Sequence, residues 1–278
     1  MGSQSPAMKK PAPSIAAAVL LALASAPSPA APPVVHPDGS ATFTLEAPHA
    51  KSVQIDIKGR TNAENDGQPV AMTRGADGVW TYRSPPLDPG FHYYFHHVDG
   101  TRFADATSPL YFGWQRPTNG VEIPDPDFDL HEPSDVPRGE IRIRPYFSQI
   151  TQAWREVRVY SPPNYDSQPT RSYPVLYLQH GSGENETSWS EQGRLGAILD
   201  NLIAEGKCQP MLVVMENGYA YPPDAAADAD GRRENHFETL LVQETIPLVE
   251  SRYRVRPGQK NRAIAGLSMG AGQALSIA

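Results

Sequence analysis

The chain has one cysteine, Cys208, so no intrachain disulfide framework can form, and neither a dithiol redox pair nor a cysteine-based metal site is available. Positive charge is also scarce. Against 31 Asp and Glu stand 24 Lys and Arg, for a formal net charge of −7. Such a balance argues against nucleic acid and anionic membrane surfaces as partners and favours neutral, carbohydrate-like ones. Long hydrophobic runs are missing too: the apolar stretch from Ile15 to Ala24 is too short to cross a bilayer. Preceded by Lys9 and Lys10 and followed by small residues through Ala31, it reads as a secretory signal peptide over 1–31, which implies a secreted or periplasmic protein. The competing reading is an unstructured Ala/Pro leader.

What is present divides the remaining chain into two patterns. Over 34–118, the runs Ala41 to Leu45, Ser52 to Ile57, Val79 to Tyr82 and Phe91 to Val98 alternate with period two between Pro, Gly and Asp clusters. This predicts a small all-β sandwich of immunoglobulin-like type, with most of its aromatic rings in the core and sugar stacking as the alternative use. His92 and His96 do not converge on a metal, because a four-residue spacing brings ligands together on a helix and not on a strand. Residues 119–145, rich in Pro and Asp, read as an extended linker with solvated charges. From 146 to 278 the pattern becomes strand and helix in alternation. Arg155 to Tyr160 is predicted as an edge strand, and Tyr173 to Leu178 and Met211 to Met215 as strands buried on both faces. Leu195, Ile198, Leu199, Leu202 and Ile203 form one amphipathic helical stripe, and Phe237, Leu240, Leu241 and Leu248 mark a second helix bent near Pro247.

The chemistry is carried by Gly266-Leu267-Ser268-Met269-Gly270. A short apolar run, Arg262 to Gly266, precedes the serine, and a stretch of helix formers, Ala271 to Ala278, follows it. Strand, serine turn and helix are the context of a nucleophile elbow, in which Ser268 Oγ is exposed for attack on a carbonyl. After the strand ending at Leu178 comes Gln179-His180-Gly181-Ser182-Gly183, a glycine-containing turn able to aim backbone N–H groups above the sheet. The expected oxyanion donors are the N–H groups of Met269 and Ser182, with His180, Gly181, Gly183, Gly266 and Gly270 as supporting positions and His180 as a loop brace rather than a base. No cofactor or metal is expected. Asp224, Asp228 and Asp230 read as a solvated loop rather than a calcium site, and Asn185-Glu186-Thr187 matches a glycosylation sequon.

Tyr173 to Gly181, Asn185 to Trp189, Asp200 to Gly206 and Arg262 to Gly270 resemble the esterase D-like α/β hydrolases of carbohydrate esterase family 1, which include feruloyl and acetyl xylan esterases. The N-terminal half resembles the immunoglobulin-like (E-set) module found before such esterases, at Pro89 to Tyr94 and Ser108 to Gly113. The resemblance implies a doubly wound, mostly parallel α/β hydrolase sheet. It also implies a serine esterase in which Ser268 is acylated by hydroxycinnamoyl or acetyl esters of plant cell-wall xylan. In this fold an acid and a histidine follow the serine in chain order, yet all eight histidines here precede Ser268. The expectation from sequence is therefore a C-terminally truncated hydrolase half, with the strand before Ser268 left as an open edge. Two alternatives remain: a polysaccharide-binding protein with a vestigial hydrolase half, and an acyltransferase of the mycolyltransferase type.

Overall fold

The computed structural model describes residues 32–59, 68–227, 229 and 233–278. The leader read over 1–31, and Asp228 and Asp230 of the acidic loop, lie outside the described residues. No described helix is long and apolar enough to cross a membrane.

The N-terminal half contains strands β1 (Val34–Val35), β2 (Ala41–Glu46), β3 (Val53–Ile57), β4 (Val70–Ala71), β5 (Thr73–Arg74), β6 (Val79–Arg83), β7 (Gly90–Val98), β8 (Thr101–Phe103), β9 (Leu110–Gly113) and β10 (Arg116–Ile123). Among the described residues they form two antiparallel sheets, ordered β1-β2-β6-β5 and β4-β3-β7-β10-β9, with β8 paired to β7. Period-two alternation sends Phe43, Leu45 and Trp80 of the first sheet against Ile55, Tyr94, Val121 and Ile123 of the second, giving one apolar layer between them. The opposite face of β7, carrying Phe91 and Tyr93, is thereby turned away from that layer.

Beyond it lie β11 (Glu140–Ser148), β12 (Ala153–Ser161), β13 (Val175–Gln179), α1 (Leu195–Ala204) and β14 (Leu212–Glu216). They are followed by α2 (Phe237–Leu240), a π-helical turn (Leu241–Thr245), α3 (Ile246–Arg252), β15 (Arg262–Gly266) and α4 (Met269–Ile277). The sheet runs β11-β12-β14-β13-β15, with β13 parallel to both neighbours and β12 alone opposed in direction. Both faces are covered. Val157, Val159, Val175, Tyr177 and Val214 pack with Phe237, Leu240, Leu241 and Val249 on one side. Tyr160, Leu178, Val213 and Met215 pack with Leu195 and Leu199 on the other. The π-helical turn stands directly before Pro247, whose missing N–H and bulky ring forbid regular α-helical pairing one turn back.

Two sequence expectations change. The linker read over 119–145 shrinks to 124–139, because β10 continues to Ile123 in the middle of a sheet and β11 begins at Glu140. For the same reason β12, read as an edge, is an inner strand. It pairs with β11 from Ala153 to Ser161, and the edge belongs to β11, which tolerates Pro145 and alternating Glu140, Arg142 and Arg144 as an edge strand can. The remaining connection is held to α1: Asn201 Nδ2 donates to the carbonyls of Leu130 and Glu132, both at 2.9 Å, and Gly139 N–H donates to Asp200 Oδ1 at 2.9 Å.

The end of β14 carries a fully buried carboxylate, Glu216. Arg155 Nη2 donates to its Oε1 at 2.9 Å, Tyr146 Oη to its Oε2 at 2.9 Å and Thr245 Oγ1 to the same oxygen at 3.3 Å, tying β11, β12, β14 and the π-helical turn together. Burial pushes the Glu216 carboxyl above its ordinary range and Arg155 pulls it back. Removing one member of such a pair strands the other charge without water. Glu216→Ala is therefore expected to lower the unfolding free energy by about 3–5 kcal/mol in urea titration of the full-length protein.

Candidate active site

β13, β14 and β15 run parallel, so their C-terminal ends open at one edge of the sheet, and the chemistry-bearing turns gather there. Ser268 sits between β15 and α4 at φ 50° and ψ −110°, a region a non-glycine residue enters at a cost of about 1–3 kcal/mol. The turn is this tight because two side chains are missing. A Cβ on Gly266 would lie 2.4 Å from the Gly270 carbonyl carbon, and one on Gly270 would lie 2.7 Å from both Gln179 Cβ and the His180 carbonyl oxygen. Leu267 N–H donates to the Gln179 carbonyl at 3.2 Å, which ties the turn to the end of β13. Ser268 is exposed, and Met269 is the first residue of α4, so its N–H has no helical partner.

The turn after β13 is fixed on several sides. Gly181 N–H donates to Glu184 Oε2 at 3.1 Å, Gly183 N–H donates to Tyr219 Oη at 2.7 Å, and the Gly183 carbonyl accepts from Gln115 N–H at 2.7 Å. Gly183 itself has φ 84°, and a Cβ there would meet Trp114 Cα and N at 3.3 Å. Between these anchored neighbours Ser182 is exposed, and its N–H has no partner among the described residues. The loop that grips Gly183 from outside is the β9–β10 turn, where Trp114 and Gln115 both adopt positive φ, 55° and 61°. Thus the sandwich reaches into the site, which sequence reasoning missed. No motif announces a hairpin tip that docks on a distant turn.

Tyr219 and Arg155 were also missed. Arg155 Nη1 donates to the Tyr219 carbonyl at 2.9 Å, so the Glu216 pair sets the tyrosine that holds Gly183. Phe112, Gln115, Glu184, Asn217, Tyr219 and Tyr221 line a cleft of about 350 Å³ beside this turn. Gln273 Nε2 donates to the Gly218 carbonyl at 2.8 Å and joins α4 to the β14 end.

His180 is placed as a brace. Its Nε2 accepts from Gly218 N–H at 2.9 Å, so the proton sits on Nδ1, which donates to the Gly181 carbonyl at 2.8 Å. Burial holds its pKa below the ordinary value of 6.5. His236 stands at the start of α2 with its Nε2 3.6 Å from Glu234 Oε1. Among the described residues, no histidine is hydrogen-bonded to Ser268.

The parallel strand, strained serine turn and following helix are the arrangement of the α/β-hydrolase fold. Residues 148–278 match the model of the family described as Esterase, Putative esterase. The C-terminal part of this chain is thus similar to that esterase family. It is 40% identical over 246 residues to an endo-1,4-beta-xylanase/feruloyl esterase of Xylanibacter ruminicola, an alignment covering 86% of this chain and 33% of that protein. It is also 32% identical over 127 residues to endo-1,4-beta-xylanase Y of Acetivibrio thermocellus, covering 42% of this chain and 11% of that protein. The chain thus spans a third or less of the length of these curated relatives. Enterochelin esterase from Shigella flexneri shares the fold, with a TM-score of 0.63 at 17% identity over 90% of this chain and 70% of that one.

Because the neutral His180 ring is what the loop requires, its contribution to stability is complete above about pH 6.5 and is lost as pH falls toward the lower folded-state pKa. The stability gap between the full-length protein and its His180→Asn variant is therefore expected to be constant above that pH and to narrow below it, in urea unfolding at stepped pH.

Proposed function

We propose that this protein is a secreted or periplasmic serine esterase with Ser268 as its nucleophile. Its substrates would be hydroxycinnamoyl, above all feruloyl, or acetyl esters on plant cell-wall xylan. The observation that carries the reading is the Ser268 turn, strained to positive φ and packed through two glycines onto the end of β13, beside a turn with an unpartnered amide at Ser182. The 40% identity to a xylanase/feruloyl esterase supports the substrate class. In this reading the two-sheet N-terminal half is an immunoglobulin-like E-set module, and residues 34–123 and 140–278 are the two folding units.

Chemically, Ser268 Oγ bonds to the ester carbonyl carbon as its proton passes to a base. The carbonyl oxygen becomes an oxyanion facing the N–H groups of Met269 and Ser182. Collapse breaks the bond to the sugar oxygen, which leaves with a proton as the alcohol, and water then releases the acid from the acyl-serine. The base is a group other than His180, whose two ring nitrogens are engaged. Phe112, Tyr219 and Tyr221 give the adjoining cleft aromatic walls suited to a planar acyl ring or a sugar face.

Ser268→Ala in the full-length gene product is expected to lower turnover of methyl ferulate and of p-nitrophenyl acetate by about 10⁴-fold or more while leaving the unfolding midpoint in place. Retained turnover removes Ser268 from the nucleophile role. Glycan binding by an inert wild-type protein would favour the vestigial reading, and ester product formed on an added sugar acceptor would favour acyl transfer.

A further inference from the structure

Tyr93 lies on the face of β7 turned away from the sandwich core, and its hydroxyl is engaged by the hydrolase half on two sides. Gln192 Nε2 donates to Tyr93 Oη at 2.7 Å, and Tyr93 Oη donates to Glu184 Oε1 at 2.8 Å. The second carboxylate oxygen of Glu184 accepts the Gly181 N–H at 3.1 Å. A directed chain of hydrogen bonds therefore runs from α1's leading segment through a sandwich tyrosine into the turn that presents the Ser182 amide.

The room for this chain is built in. A Cβ on Gly113 would fall 2.5 Å from Tyr93 Cε1 and Cζ, so the ring lies flat over a strand position that only glycine leaves open. Phe91 meets the Tyr93 ring edge-on with centroids 4.9 Å apart, which fixes its tilt. Burial and the Glu184 carboxylate raise the Tyr93 pKa well above its ordinary value, so the hydroxyl keeps its proton and its donor role across the working range of pH.

The consequence falls on the oxyanion donors. With Gly181 N–H committed to Glu184 and Gly183 N–H to Tyr219, the Ser182 N–H is the amide of this turn left for a ligand. Its direction depends on the peptide planes on either side. We infer that Tyr93, although it belongs to the N-terminal sandwich, is a positioning residue for the esterase reaction, acting through Glu184 to hold the 181–183 turn so that Ser182 N–H faces the developing oxyanion. This rests on the esterase reading above and extends it. The sandwich would then be part of the catalytic geometry rather than an appended module, since the Glu184 carboxylate has no other side-chain donor among the described residues.

A donor that is misdirected costs less than one deleted, for which the loss is about 10²–10³ in kcat. In the full-length protein, Tyr93→Phe is expected to lower kcat on methyl ferulate by about 10- to 100-fold with KM changed by less than about threefold, at an unchanged unfolding midpoint. Glu184→Gln should produce a similar loss, and the double variant should be no slower than the slower single one, because both substitutions break the same chain. Gln192→Met, which changes no residue of the sandwich and removes the donor to the tyrosine hydroxyl together with a longer bond to the Phe112 carbonyl at 3.2 Å, should lower kcat in the same direction and supplies the test if Tyr93→Phe does not fold. An active wild type with unchanged kcat in Tyr93→Phe, or a rise in KM alone, or multiplicative losses in the double variant, overturns the positioning role and leaves the esterase reading standing. A wild type without esterase turnover overturns both.

Discussion

The site depends on how closely α4 can approach the end of β13. At Gly270 the helix backbone passes so near Gln179 and His180 that no Cβ fits, and at Gly266 the strand leaves no room for a Cβ against Gly270. That contact bends the chain through Ser268 at positive φ and sets Leu267 N–H on the Gln179 carbonyl. Because β13 ends at Gln179 and turns at once into His180 to Gly183, the same contact brings the serine and the amide-bearing turn to one edge of the sheet. The strain at Ser268, about 1–3 kcal/mol, persists because the packed sheet on one side and α4 on the other over-determine it.

A second layer of constraint reaches the turn from outside. Arg155, paired with buried Glu216, holds the Tyr219 carbonyl, and Tyr219 Oη holds Gly183 N–H. His180 locks the Gly218 amide to the Gly181 carbonyl through one neutral ring. From the sandwich come Gln115 N–H and Tyr93 Oη. Three separate segments of chain thus grip the turn, and this is the rigidity that the proposed oxyanion role would call for, since preorganised donors act without reorganising as charge develops.

Much of this was legible in one dimension. The alternation in Ala41 to Leu45 and Phe91 to Val98 marked strands, and the stripe from Leu195 to Ile203 marked α1, because period 2 and period 3.6 are local properties of the chain. Where the reading failed, at β10 and β11, the residues are polar or contain proline. β11 is an edge strand for which polar alternation and Pro145 are permitted, so its composition resembles a linker's.

By itself the sequence determined the alternating runs that became β2, β3, β6 and β7, the stripe that became α1 and the pentapeptide around Ser268, since each rests on residue types at short fixed spacing. Only the tertiary structure decided that Tyr93 and Gln115 touch the turn after β13, 91 and 68 positions further along the chain at Glu184 and Gly183, and that Arg155 sets Tyr219 from 64 positions away. Those pairings depend on which faces of two sheets meet, and nothing in the local spacing of either partner encodes the other.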